Sequence, residues 1–165
     1  MNKSNLNKLI EKLKKINGRK LIFLVGLPYS GKSTLSKDIA NILDVKRISF
    51  DEIWVKEKVN DKNLTWEKVN KLIDSMITEE LKTSRSVVLD TYTDDIGSRA
   101  KYENLALLLD AQFILVYLDV KESVLFSRRL ESIKSKDRHT ISEESLKNEI
   151  TNFVVPMQCK NLIIY

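Results

Sequence analysis

The chain has 165 residues, enough for one domain with a substantial core, and its composition is that of an ordinary soluble globular protein. No apolar run approaches the roughly 20 residues that cross a bilayer, no signal-peptide block opens the chain, and the lone Cys159 rules out an internal disulfide, so a cytoplasmic protein without a membrane partner is expected. The net charge of +5 is uneven: residues 1–20 carry seven basic groups and one acid, and the near-neutral remainder weakens any case for a nucleic-acid-binding body.

Leu6, Leu9, Ile10, Leu13 and Ile16 recur at helical spacing with lysines between them, and Gly18 ends the pattern. This gives a basic amphipathic helix at 1–17, set before a domain at 18–165. Leu21, Ile22, Phe23, Leu24 and Val25 form a continuous apolar run, the mark of a strand covered on both faces. Leu35, Ile39, Ile42 and Leu43 mark a helix, and Arg47, Ile48, Ser49 and Phe50 a short strand ending at Asp51. Trp66, Val69, Ile73, Met76, Ile77 and Leu81 mark a long helix with Thr65 as its N-cap. Ser86 to Leu89 reads as a third strand ending at Asp90, and Ser98 as the cap of a helix carrying Tyr102, Leu105 and Leu109. A fourth strand follows at 112–118, then charged helices near 121–134 and 142–152, and a fifth strand at 161–165. Strands alternating with helices predict an α/β fold with a parallel sheet.

Gly26-Leu27-Pro28-Tyr29-Ser30-Gly31-Lys32-Ser33 matches the phosphate-binding pattern G-x-x-x-x-G-K-[ST], and Thr34 follows it. A chance match in a chain of this length is on the order of one in a hundred from average glycine usage. The context, a strand before and an amphipathic helix after, is the one the motif requires. The backbone amides form an anion nest, and the helix N-terminus adds its positive dipole end. Lys32 supplies a mobile charge to the β- and γ-phosphates. Ser33 offers a hard oxygen to Mg²⁺, and Thr34 stands within reach of an α-phosphate. ATP with Mg²⁺ is the expected ligand. The alternative is a glycine turn without one.

The wider sequence narrows the class. The base-reading Asn-Lys-x-Asp motif of GTPases is missing, as is the Leu-Ser-Gly-Gly signature of ABC ATPases. Asp90 is followed by Thr91, not by the glutamate of a AAA+ motor. What remains is a compact kinase. Asp51, after the second strand, stands where ligands bind in open α/β sheets; it is either the general base or the N-cap of a helix at 52–59. Asp90 would hold Mg²⁺ through water, orient Ser33, or cap a turn. Arg128, Arg129, Lys134, Lys136 and Arg138 form a basic stretch, either phosphate-facing cations or a solvated helix face. His139 reads as a surface residue.

The loop at 26–35, the stretch Ile48-Ser49-Phe50-Asp51-Glu52-Ile53, the stretch Val87-Val88-Leu89-Asp90-Thr91 with Arg99 downstream, and Arg128-Arg129, Arg138 and Phe153-Val154-Val155-Pro156 together resemble the short bacterial P-loop kinases called AAA-domain kinases. These are similar to the kinase half of polynucleotide kinase and, more distantly, to gluconate kinase and zeta-toxin kinases. The resemblance covers about residues 20–165. It implies a five-stranded parallel sheet in the order 2-3-1-4-5 with a helical lid after strand four. It also implies Asp51 as base, Arg129 and Arg138 as lid cations, and an acceptor side holding Asp51, Trp54 and Arg99. Two positions depart from the pattern. Trp54 replaces an arginine that grips a substrate phosphate, and Lys160 replaces an acid after the closing proline. Trp54 offers an aromatic face instead, which favours a small-molecule or nucleotide-like acceptor over a nucleic-acid 5′ end. A regulatory ATP-binding module is the rival of another class, and polynucleotide 5′-hydroxyl kinase is a second alternative.

Overall fold

The structure is a computed structural model and describes residues 3–91, 95–135, 140–157 and 159–165. Five strands form one parallel sheet: β1 (Lys20–Val25), β2 (Lys46–Ser49), β3 (Val87–Asp90), β4 (Gln112–Tyr117) and β5 (Leu162–Ile164). Their order is β2-β3-β1-β4-β5, the order expected above. Seven helices are seen among the described residues: α1 (Lys3–Lys15), α2 (Lys32–Leu43), α3 (Phe50–Asn60), α4 (Trp66–Lys82), α5 (Ile96–Leu108), α6 (Glu122–Ser135) and α7 (Glu143–Asn152).

The three layers follow from strand alternation. Side chains of a strand point to opposite faces at a period of two. On β1, Leu21, Phe23 and Val25 join one core cluster, while Ile22 and Leu24 join the other. Val87 and Leu89 of β3, and Phe113, Leu115 and Tyr117 of β4, sort with the first set. The first face is covered by α4, through Val69, Ile73, Ile77 and Leu81, and by α5, through Tyr102 and Ala106. The second is covered by α2, through Leu35 and Ile39, and by α1, through Leu9, Ile10 and Leu13. The apolar stripe of the basic helix is therefore buried in the domain core.

Caps and boundaries refine the sequence reading. Thr65 caps α4, its Oγ1 accepting from Lys68 N at 3.4 Å. The cap of α5 is Asp95, not Ser98; the Ser98 amide donates to Asp95 Oδ1 at 3.0 Å. A helix start places its cap three residues before the amide it serves, and Ser98 stands on the receiving side of that pair. Helix α3 begins at Phe50 with Ser49 in the cap position, so Asp51 sits within the first turn and is not the cap. Ile42 and Trp66, read from periodicity as core-facing, are each 46% exposed.

Candidate active site

All five strands are parallel, so their carboxyl ends share one edge, and the glycine loop lies there between β1 and α2. Gly31 occupies the helix N-cap with φ 104°, a conformation glycine adopts without strain. Gly26 is required by crowding: a Cβ there would lie 2.9 Å from Ser30 Oγ and 3.2 Å from the Leu118 carbonyl. Tyr29 is held at φ 66°, in the left-handed region. Lys32 Nζ reaches back over the loop and donates to the carbonyls of Gly26 and, at 3.3 Å, Leu27. Ser30 Oγ is buried and makes no hydrogen bond among the described residues. A buried hydroxyl without a partner among the described residues and a lysine ammonium drawn back over a loop too tight for a side chain at Gly26 fit an anionic ligand.

Two carboxylates flank the loop. Asp90, at the end of β3, pairs in register with Ser49 of β2 and is 6% exposed. Its Oδ2 accepts from Arg47 Nη2 at 2.6 Å and from Ser36 Oγ at 3.1 Å. Arg47 also donates from Nε to Ser36 Oγ at 2.7 Å, and its Nη1 pairs with Glu52 Oε2 at 2.7 Å. Asp51 is an exposed residue of the first turn of α3, yet its carboxyl is partly shielded by neighbouring elements. That shielding, then the nearby Asp90 charge, raises its pKa above the ordinary aspartate value; Lys32 and Arg47 pull it down, and Glu52 pushes it up. Asp51, Asp90 and Lys32 therefore share one electrostatic neighbourhood.

Among the described residues, no group of three or more His, Cys, Asp or Glu gathers to hold a metal. Mg²⁺ needs no such cage, because it keeps several waters and binds through one or two protein oxygens plus phosphates. Ser33, at the start of α2, and Asp90 suit that mode.

Of the described residues of the basic stretch after β4, Arg128 meets the loop. Arg128 of α6 donates from Nη1 to the carbonyls of Tyr29 at 3.0 Å and Ser30 at 2.8 Å. Arg129 points elsewhere, its Nε donating to Ile141 O at 2.9 Å. The Ile141 amide in turn donates to the Tyr29 hydroxyl at 3.1 Å. Tyr29 thus joins the glycine loop to the segment leading into α7. Arg138, with Lys136 and His139, lies outside the described residues.

Of the residues expected to face the acceptor, Trp54 belongs to an aromatic cluster with Phe50 and Trp66, its ring centroid 6.0 Å from Phe50 and 4.8 Å from Trp66, while Phe50 and Trp66 lie 4.7 Å apart. Asp51 and Trp54 are three residues apart on α3, hence neighbours on its surface. Arg99 donates from Nη2 to Val154 O at 2.7 Å, and its guanidinium lies 5.8 Å from the Phe153 ring centroid. It ties α5 to the closing stretch. The sequence reading missed Arg47 and Ser36. Its available signal was a charged residue inside a short strand, which demands a buried partner.

A protein-family model described as AAA domain matches residues 21–156. The chain belongs to that family. It is 29% identical over 151 residues to the L-seryl-tRNA(Sec) kinase of Methanococcus maripaludis, a match taking in 82% of this chain and 53% of that protein. The chain thus spans about half the length of that curated relative. Among solved structures, Chaetomium thermophilum Kti12 in complex with ADP-AlF3 superposes with a TM-score of 0.69 at 18% identity, covering 88% of each chain. A gluconokinase from Sinorhizobium meliloti gives 0.58 at 19% identity, covering 89% of this chain and 81% of that one. The fold is that of P-loop kinases.

Proposed function

We propose that this chain is an ATP-dependent kinase that transfers the γ-phosphate to a hydroxyl of a small-molecule or nucleotide-like acceptor. The observation that carries the reading is that Asp51, Asp90 and Lys32 stand at or just after the carboxyl ends of the adjacent strands β2, β3 and β1, beside the glycine loop. When bound, ATP supplies the phosphoryl group and Mg²⁺ offsets its charge. Residues 26–34 cradle the phosphates, and Lys32 leaves the loop carbonyls to meet them. Ser33 and Asp90 would hold the metal, Asp90 through water, with one of its oxygens already bonded to Arg47. Asp51 accepts the proton of the acceptor hydroxyl as its oxygen bonds the γ-phosphorus and the bridge to ADP breaks. A carboxyl raised above its ordinary value is the better base for that step.

Arg128 faces the loop, and Arg129 and Arg138 complete the lid cations in this reading. Trp54, stacked with Trp66, offers the acceptor a flat apolar surface, and Arg99 supports that side through the closing stretch. A cytoplasmic location suits a protein that draws on ATP. The name of the relative, L-seryl-tRNA(Sec) kinase, is a reason to include a seryl hydroxyl among the acceptors to test. The test is turnover of γ-labelled ATP with seryl-tRNA, nucleosides, sugars and 5′-hydroxyl oligonucleotides. Label should pass to one class of acceptor. Slow ATP turnover unaffected by every acceptor would favour the regulatory module instead.

A further inference from the structure

Arg47 stands at the meeting point of four elements. From β2 its guanidinium reaches Asp90 on β3, Ser36 on α2 and Glu52 on α3, at 2.6, 2.7 and 2.7 Å. Its side chain is 12% exposed. We propose that Arg47 is a positioning residue of the phosphotransfer site, aiming Asp90 at the metal position and fixing the first turn of α3, and with it Asp51, against the glycine loop. The inference rests on the kinase reading above.

The contacts explain why these partners matter. Glu52 is the chain neighbour of Asp51, so the Arg47–Glu52 pair fixes the turn that carries the proposed base. Ser36 Oγ accepts from Arg47 and stands 3.0 Å from the carbonyl of Ser33 and 3.1 Å from Asp90 Oδ2. One guanidinium therefore touches the supports of both proposed metal oxygens and of the base. Arg47 thus holds one oxygen of the Asp90 carboxylate at 2.6 Å. A planar fork of five donors can hold three partners in fixed directions, whereas an ammonium acts as a point charge. Electrostatics point the same way. Asp51, Glu52 and Asp90 place three negative groups where a polyanion must bind. The charges that act on Asp51 are Asp90 from β3, Glu52 from its own helix, Lys32 from α2 and Arg47 from β2. Stability alone gives no reason for the arrangement, because a buried ion pair is often replaced by apolar residues without loss.

The test uses the full chain with Arg47→Met, Arg47→Lys, Glu52→Gln and, as control, Lys32→Ala. Each is assayed for thermal melting, binding of a fluorescent ATP analogue with Mg²⁺, and ATP turnover against pH with the acceptor panel. Arg47→Met should bind the analogue yet lose roughly 10- to 100-fold in turnover, as outer-shell partners of metal sites do. The acid limb of its pH profile should move to higher pH, since a cation that lowers the Asp51 pKa is gone. Arg47→Lys should restore the limb but not the rate. Glu52→Gln should lower the rate without moving the limb upward. Wild-type rate and limb in Arg47→Met, beside an inactive Lys32→Ala, would overturn the positioning role and leave the kinase reading standing. If Arg47→Met does not fold, wild-type rates in both Arg47→Lys and Glu52→Gln overturn it. If wild type and Lys32→Ala turn over alike, the kinase reading falls and this proposal with it.

Discussion

The basic N-terminal helix is the element whose contribution can be predicted most sharply. Leu13 is fully buried, Leu9 is 2% exposed and Ile10 6%, all against Ile22, Leu24, Leu35 and Ile39. Burying one such side chain contributes about 1.5–3 kcal/mol, so the three together supply roughly 5–9 kcal/mol. That is comparable with the whole stability of an ordinary domain, about 5–15 kcal/mol. Leu13→Ala removes part of this and leaves a cavity at the contact of α1 with the sheet. A cost of about 3 kcal/mol, within the usual range for a buried leucine, should lower the melting temperature by about 6–12 °C in a domain of this size. Lys12→Ala, on the exposed face of the same helix, should stay within about 0.5 kcal/mol of wild type. The assay is thermal melting followed by circular dichroism. A Leu13→Ala melting temperature within a degree of wild type would refute the docking of α1. So would a cooperative, wild-type transition in a chain lacking residues 1–17.

Three further outcomes are expected. Gly26→Ala forces a Cβ against Ser30 Oγ and the Leu118 carbonyl; it should cost about 1–3 kcal/mol and sharply weaken binding of an ATP analogue, and unchanged binding would refute the close-approach argument. Arg128→Ala should weaken nucleotide turnover more than Arg129→Ala, because only Arg128 meets the loop carbonyls in this structure; the opposite ranking in steady-state assays would contradict it. Asp51 has a raised pKa, so the folded state holds its proton more readily than the unfolded one; the stability this confers is present below pH 3.8 and is lost as pH rises through the higher folded value. Asp51→Asn escapes that loss, so its melting temperature should gain on wild type as pH climbs above 3.8, and a gap independent of pH would contradict the shift.

Much of the frame could be read from local pattern. The apolar run before the loop, the loop itself and the later apolar runs placed β1, β3 and β4 to within a residue or two, because strands covered on both faces leave no polar gaps. The sheet order came from family resemblance and not from periodicity, which carries no information about which strands are neighbours. Phe50 was read as the end of β2 because it is apolar and follows a strand. It is instead the first residue of α3, buried under Trp66 at 4.7 Å between ring centroids. The Arg47–Asp90 pair joins residues far apart in the chain, and nothing local in the sequence of β2 names its partner. Arg128 and Arg129 are adjacent on a helix and therefore point about 100° apart. Only the packing of α6 decides which one meets the loop.

The most direct measurement is phosphotransfer by Asp51→Asn beside wild type, with binding of the ATP analogue measured on the same samples. Asparagine keeps the size of the side chain and some hydrogen-bonding capacity but cannot take a proton. Binding should survive within a few-fold, since Lys32 and residues 26–34 are untouched. Transfer of label to the acceptor should fall by roughly 10²- to 10⁴-fold, the range for loss of a general base. Wild-type transfer in Asp51→Asn would contradict the assignment of Asp51 as the base, and with it the account of how this site moves a phosphoryl group.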